Sequence, residues 1–189
     1  MPGLYSVGIH PWGISILHWE EQLKLLKEAS LRQNVLAIGE CGLDTICSTA
    51  FSLQEQVFLA QVHWANAIEK PLIIHCVRAW EEVLHLLQTT KNKVPVIFHG
   101  FSKNRILADK IIARGYYLSF GKSLLHSSGK ETLAFLPVDK IFLETDDASL
   151  SIQTIYGLAE QALSIDHNSL VLQMKKNAIA IFGAAVLQL

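Results

Sequence analysis

Residues 35–44 read Val35-Leu-Ala-Ile-Gly-Glu-Cys-Gly-Leu-Asp44, an apolar run of strand length that delivers a carboxylate, Glu40, into a glycine-flanked turn. A charged carboxylate at the end of a buried strand is costly unless a cation or hydrogen-bond donors meet it. Three further segments share this grammar: Pro71-Leu-Ile-Ile-His75, Pro95-Val-Ile-Phe-His99 and Ile141-Phe-Leu-Glu-Thr-Asp146. Each is a short apolar run that ends in a residue able to ligate a metal, and this recurrence decides the reading of the fold.

Outward from these segments the pattern alternates. Strands are expected at Leu4 to Gly8, Val35 to Gly39, Leu72 to His75, Val96 to His99, Tyr116 to Phe120 and Ile141 to Glu144. Between them, apolar residues recur at helical spacing. Trp19, Leu23 and Leu26 mark a helix from Trp19 to Ala29, and Leu53, Val57, Ala60, Trp64 and Ala67 form the inward stripe of one from Leu53 to Glu69. Trp80, Val83, Leu84 and Leu87 mark the next, and Ile106, Leu107, Ile111 and Ile112 face inward on a helix that Gly115 stops. A polar loop, Gly121 to Gly129, leads to a short helix from Lys130 to Leu136. Two helices close the chain, Gln153 to Ser164 and Ser169 to Phe182, the second ended by Gly183. Strand–helix alternation is the signature of βαβ units with parallel strands. Ligand-type residues at the ends of four different strands favour a TIM-type barrel, in which every strand points its C-terminal loop at one site. An open doubly wound sheet would use only the strands at its switch point.

The bulk composition sets limits. The chain has 189 residues, half of them hydrophobic and 17% charged, as expected when short buried strands are covered by helices on both faces. One domain over residues 1–189 is expected, with a sizeable core. No run of about 18 apolar residues is present, so no membrane span is expected. A net charge of -1 gives no basic face for non-specific nucleic-acid binding; any such contact must be local. Cys41, Cys47 and Cys76 form no CxxC pair and leave one unmatched, which reads as reduced thiols in a cytoplasmic protein.

Glu40, His75, His99 and Asp146 together supply two imidazoles and two carboxylates, a set suited to Zn, Mn or another divalent ion of intermediate hardness. A bridging carboxylate allows one ion or two. Such ions activate water and polarise a phosphoryl or carbonyl oxygen. Asp146 is the candidate proton acceptor. Cys41 and Cys76 adjoin ligands in sequence, but neighbouring strand residues point to opposite faces, so packing is their expected role. Trp12, in a Pro-Trp loop, is read as core, lid or base-stacking surface.

Five motifs carry a family resemblance: Gly-Ile-His-Pro at 8–11, Ala-Ile-Gly-Glu-Cys-Gly-Leu-Asp at 37–44, Pro-Leu-Ile-Ile-His at 71–75, Phe-His-Gly-Phe-Ser at 98–102 and Leu-Glu-Thr-Asp at 143–146. Their order and spacing resemble those of the TatD family of metal-dependent deoxyribonucleases. The resemblance implies a metal-dependent hydrolase barrel acting on phosphodiester bonds in DNA, with Glu40, His75, His99 and Asp146 as ligands to a divalent metal (Zn, Mn or Mg). Glu40 and Asp146 would then be catalytic, with His10 and Arg78 at the rim in contact with phosphate. Three features depart from the family pattern. His-x-His, which ends the family's first strand, does not occur in the sequence; Lys103 and Asp147-Ala148 replace the usual Gly and Ser-Pro. At 189 residues, with six expected strands where such a barrel has eight, the implied barrel is incomplete, and the metal site that depends on His-x-His is weakened or empty. Its open edge would be covered by the C-terminal helices or by a homo-oligomer. Alternative readings are a small-molecule phosphoesterase or amidohydrolase on the same scaffold, and a truncated, weakly active or inactive member.

Overall fold

A computed structural model describes residues 3–188. The chain divides into two compact units, residues 3–96 and Ile97–Gln188. The first contains β1 (Tyr5–Val7), a 3-10 turn at Pro11–Gly13, α1 (Trp19–Ser30), β2 (Val35–Asp44), α2 (Phe51–Ala67), β3 (Leu72–Val77) and α3 (Trp80–Thr89). The strands run parallel, with β2 between β1 and β3.

β2 is longer than the sequence suggests, and Glu40 lies inside it. The register runs Ile38 opposite Leu72 and then Cys41 opposite Ile74, so three steps on β2 face two on β3. One extra residue is accommodated at Gly39-Glu40, whose peptide bond is cis. A bulge of this kind re-aims a side chain without ending the strand. Pairing then resumes to Asp44 opposite Val77. Glycine followed by glutamate breaks the apolar pattern at Gly39, whereas the ladder with β3 carries on. Gly42 is required here: at φ +148, a Cβ would lie 1.9 Å from the His75 carbonyl oxygen.

α2 spans nearly the expected residues but turns a different face inward. Gln54, Val57, Phe58, Gln61, Val62 and Ala65 are buried, while only Val57 of the expected stripe is. Trp64 is half-buried, donating from Nε1 to Ser30 Oγ at 2.9 Å beneath the Lys27 ammonium. The rotation follows from the two glutamines. Gln61 Oε1 accepts the Ile9 N–H at 2.7 Å and its Nε2 donates to the Ile9 carbonyl at 3.1 Å. Gln54 does the same for Asp44, at 2.8 and 3.0 Å. A buried backbone group must find a partner, and here side-chain amides on a helix supply it at the ends of β1 and β2.

The second unit contains β4 (Val96–Phe98), α4 (Arg105–Ile112), β5 (Tyr117–Phe120), α5 (Ser127–Ala134), β6 (Ile141–Leu143), α6 (Ile152–Leu163) and α7 (His167–Phe182). β5 pairs in parallel with both β4 and β6. Phe101 and Phe120 are fully buried and meet edge to face at 5.6 Å. On α4, Ala108 and Ile111 face inward, but Ile106 is 80% exposed, against expectation. Asn104 caps the helix by accepting the Leu107 N–H, which sets the phase and leaves Ile106 in solvent. α5 starts at Ser127, earlier than expected, and takes in Gly129; a Cβ there would lie 2.2 Å from the Ser123 carbonyl oxygen. Asn177 on α7 repeats the amide device, with Nδ2 donating to the Val138 and Ile141 carbonyls at 2.9 and 2.8 Å. No helix of the described residues is long and apolar enough to cross a membrane, and all three cysteines are free.

Replacing Gln61 by Leu strands the N–H and carbonyl of Ile9, each worth about 1–3 kcal/mol when buried without a partner. Urea unfolding should therefore show a loss of about 2–5 kcal/mol for Gln61→Leu, against no more than about 0.5 kcal/mol for the exposed Gln56→Leu. Equal losses would remove the clamp from the account of this fold.

Candidate metal centre

In the first unit, His10 follows β1, Glu40 sits in the β2 bulge and His75 lies within β3. The three offer ligand atoms that all lie within 4.8 Å of one another. His10 Nε2 is 3.8 Å from Glu40 Oε2, and the His10 and His75 rings meet edge to face at 4.3 Å. Arg78 comes directly after β3, exposed and at φ +54, outside this group.

Asp44, the last residue of β2, organises the cluster. Its Oδ2 lies 3.1 Å from His75 Nε2 and accepts the Trp12 Nε1–H at 2.7 Å; Oδ1 accepts the Ile46 N–H at 2.8 Å. Burial pushes the Asp44 carboxyl up, but hydrogen bonds from Trp12, His75 and Ile46 outweigh it and hold the group below its ordinary range. An ionised Asp44 only accepts, so His75 carries its proton on Nε2 and keeps its lone pair on Nδ1. A carboxylate that orients a histidine in this way is the usual support behind a metal ligand.

His10 is set differently. Its Nδ1 accepts the Trp12 N–H at 3.2 Å, which leaves the neutral ring with a proton on Nε2. The ring is thus a donor toward the cluster. Glu40 and the His75 Nδ1 form the mixed oxygen and nitrogen donor set, which fits a divalent cation of intermediate hardness.

In the second unit, His99 follows β4, and Glu144 and Asp146 follow β6, with Asp146 at φ +48. His99 and Asp146 present ligand atoms within 4.8 Å of each other. Glu144, which the sequence reading passed over inside its own motif, is the more constrained carboxylate. Its Oε1 accepts the Gly100 N–H at 2.6 Å and stands 3.9 Å from His99 Nδ1. Burial raises the Glu144 carboxyl, with Asp146 adding to the effect, against hydrogen bonds from Ser119 and Gly100 and the charge of His99. Glu144 and Asp146 line a cleft of about 280 Å³ with Ser102, Lys122 and His126; the Lys122 ammonium pairs with Asp147 at 2.7 Å.

Two tests follow from these carboxylates. Because the Asp44 carboxyl is lowered, its contribution is present above the ordinary carboxylate range near about 4 and is lost as pH falls through its folded value. Asp44→Asn should cost about 1.5–3 kcal/mol at pH 7, with a gap to the native chain that narrows in acid. The same substitution should weaken divalent-metal binding about 10- to 100-fold by calorimetry. Glu144 has the opposite sign: its raised carboxyl favours the fold below the ordinary range, and that contribution is lost as pH rises through the folded value. Metal-free Glu144→Gln should therefore melt higher than the native chain at pH 8, with the gain fading toward pH 4. A gain of equal size at both values would overturn this account.

Comparison with known proteins accords with this geometry. The TatD related DNase family matches residues 2–178. The chain is 29% identical over 179 residues to a protein of Buchnera aphidicola subsp. Baizongia pistaciae named an uncharacterized metal-dependent hydrolase, covering 92% of this chain and 67% of the relative. It is 34% identical over 150 residues to the 3'-5' ssDNA/RNA exonuclease TatD of Citrobacter koseri, covering 75% of this chain and 56% of the relative. This chain thus spans roughly three-fifths of the length of such relatives. The crystal structure of the TatD homologue YJJV from Escherichia coli K12 superposes with a TM-score of 0.85 at 22% identity, over 96% of this chain and 77% of that one. The fold class is accordingly the α/β, TIM-barrel type with six parallel strands that the strand–helix pattern implied. With a family match that runs almost from end to end and takes in every segment carrying a candidate ligand, the chain belongs to the TatD related DNase family.

Proposed function

We propose that this chain is a metal-dependent hydrolase that cleaves phosphodiester bonds at the 3′ end of single-stranded nucleic acid. The observation that carries this reading is the first-unit cluster, in which Glu40 and His75 stand together with Asp44 bonded behind the histidine. A relative named a 3'-5' ssDNA/RNA exonuclease supports the substrate class. Glu40, His75, His99 and Asp146 are the proposed ligands. A divalent cation, when bound, would supply a water with its pKa lowered to about 7 and would polarise a phosphoryl oxygen.

The chain's own groups take the remaining roles. Asp146 accepts the proton of the attacking water at a carboxylate oxygen. His10 donates its Nε2–H to a phosphate oxygen, a role that its Trp12 contact supports by keeping Nδ1 unprotonated. The Arg78 guanidinium meets phosphate from the end of β3, where a planar fork suits that anion.

A second reading is a small-molecule phosphoesterase or amidohydrolase on the same scaffold, since fold and ligand set do not fix substrate. Incubation with labelled single-stranded DNA and with bis(p-nitrophenyl) phosphate, each with Zn, Mn or Mg and with chelator, separates the two. Metal-dependent shortening of the DNA from its 3′ end, reduced at least 100-fold in His75→Ala, is expected. Cleavage of the small ester alone would favour the second reading, and no cleavage of either would remove the nuclease and phosphoesterase readings. Elemental analysis of purified protein should find one tightly held equivalent of metal, since no His-x-His is present for a second site; two would contradict that stoichiometry.

A further inference from the structure

Trp12 is 68% exposed, yet it is fixed at several points. Its Nε1–H donates to Asp44 Oδ2, the same oxygen that meets His75 Nε2. Its ring meets that of His10 at 5.0 Å and that of His75 at 5.9 Å, both edge to face. The turn carrying it is tied down as well: its own N–H bonds His10 Nδ1, and Thr49 Oγ1 donates to the Pro11 carbonyl at 2.9 Å. A large aromatic surface left in water forgoes the gain of burying it. A ring held rigid in that state, against the histidines of the candidate centre, is arranged as a contact surface.

We infer that Trp12 is the stacking platform for the base of the terminal nucleotide whose phosphodiester is cleaved. This rests on the nuclease reading above and adds how the strand end is recognised. A base is joined to its phosphate through a single sugar, so a ring adjoining His10 and His75 is within reach of a base whose phosphate they serve. The indole's one donor is committed to Asp44 and is not available to read base edges. Recognition through Trp12 is therefore by the π-face alone, which every base possesses, and it makes no distinction among the four. The terminal base of a duplex is held by its pairing partner and by stacking on its neighbour, so the platform takes single strands and frayed ends.

Because Trp12 also steadies Asp44, its two roles must be separated. Trp12→Phe loses the donor but keeps a ring; Trp12→Ala loses both. The probes are two 5′-labelled oligothymidylates of equal length, one intact and one with an abasic 3′-terminal nucleotide, and binding to the full chain is read by fluorescence anisotropy. The native chain should bind the intact strand about tenfold more tightly than the abasic one. Trp12→Phe should keep most of that preference and Trp12→Ala should abolish it. A preference that survives in Trp12→Ala overturns the inference, as does its loss in both variants, which would trace the effect to Asp44. If the native chain binds and shortens both strands alike, the platform is refuted while the nuclease reading stands. If it neither binds nor cleaves either, both fall.

Discussion

Backbone groups at the ends of buried strands need hydrogen-bond partners, and this chain meets the need with side-chain amides carried on helices. Gln61 closes on both polar groups of Ile9, Gln54 on both of Asp44, and Asn177 on the carbonyls of Val138 and Ile141. In water these bonds would be nearly neutral exchanges; in a dry interior their loss is expensive. The constraint has a geometric consequence. Ile9 precedes His10, Asp44 orients His75, and Ile141 opens the strand that leads to Glu144 and Asp146. The bonds that complete the strand ends thus also place the chemistry.

Glu40 depends on a different device. Were β2 regular, its side chains would alternate through the ladder and a glutamate in mid-strand would take whichever face the register assigned. The added residue between Ile38 and Cys41 breaks that alternation locally. Gly42, where a side chain would collide with the His75 carbonyl, keeps β2 and β3 close as pairing resumes. Glu40, the candidate ligand, therefore sits inside the most extensively paired strand of its unit and not in a loop, on a backbone whose neighbours hold it.

The carboxylates divide into two kinds. Asp44 is surrounded by donors and kept ionised, which suits a group that orients a histidine. Glu144 is pushed toward its neutral form by burial despite the donors around it. Environments that drive carboxyl groups in opposite directions are characteristic of sites where charge is used, and a group held against its preference lowers stability in return for placement.

Much of the architecture was legible in the sequence because it follows from period. Apolar runs of strand length separated by helical stripes imply parallel α/β, and the recurrence of His, Glu and Asp at the ends of those runs singled out Glu40, His75, His99 and Asp146 as candidates. What could not be read were features set by partners distant in sequence. Gln54 and Gln61 look like surface residues until the strand ends they serve are in place; hydropathy has no score for a polar group satisfied by the backbone, so the buried face of α2 was misjudged. Asp44 lay past an apparent strand end because glycine and glutamate interrupt an apolar run, whereas β3, almost thirty residues on, decides where β2 stops. The phase of α4 was set by the Asn104 cap and not by the count of apolar residues. The sequence alone determined the periodicity and the kinds of ligand; tertiary structure decided which polar groups are buried and which way each ring and carboxylate points, because burial and hydrogen-bond partners exist only once the chain has closed on itself.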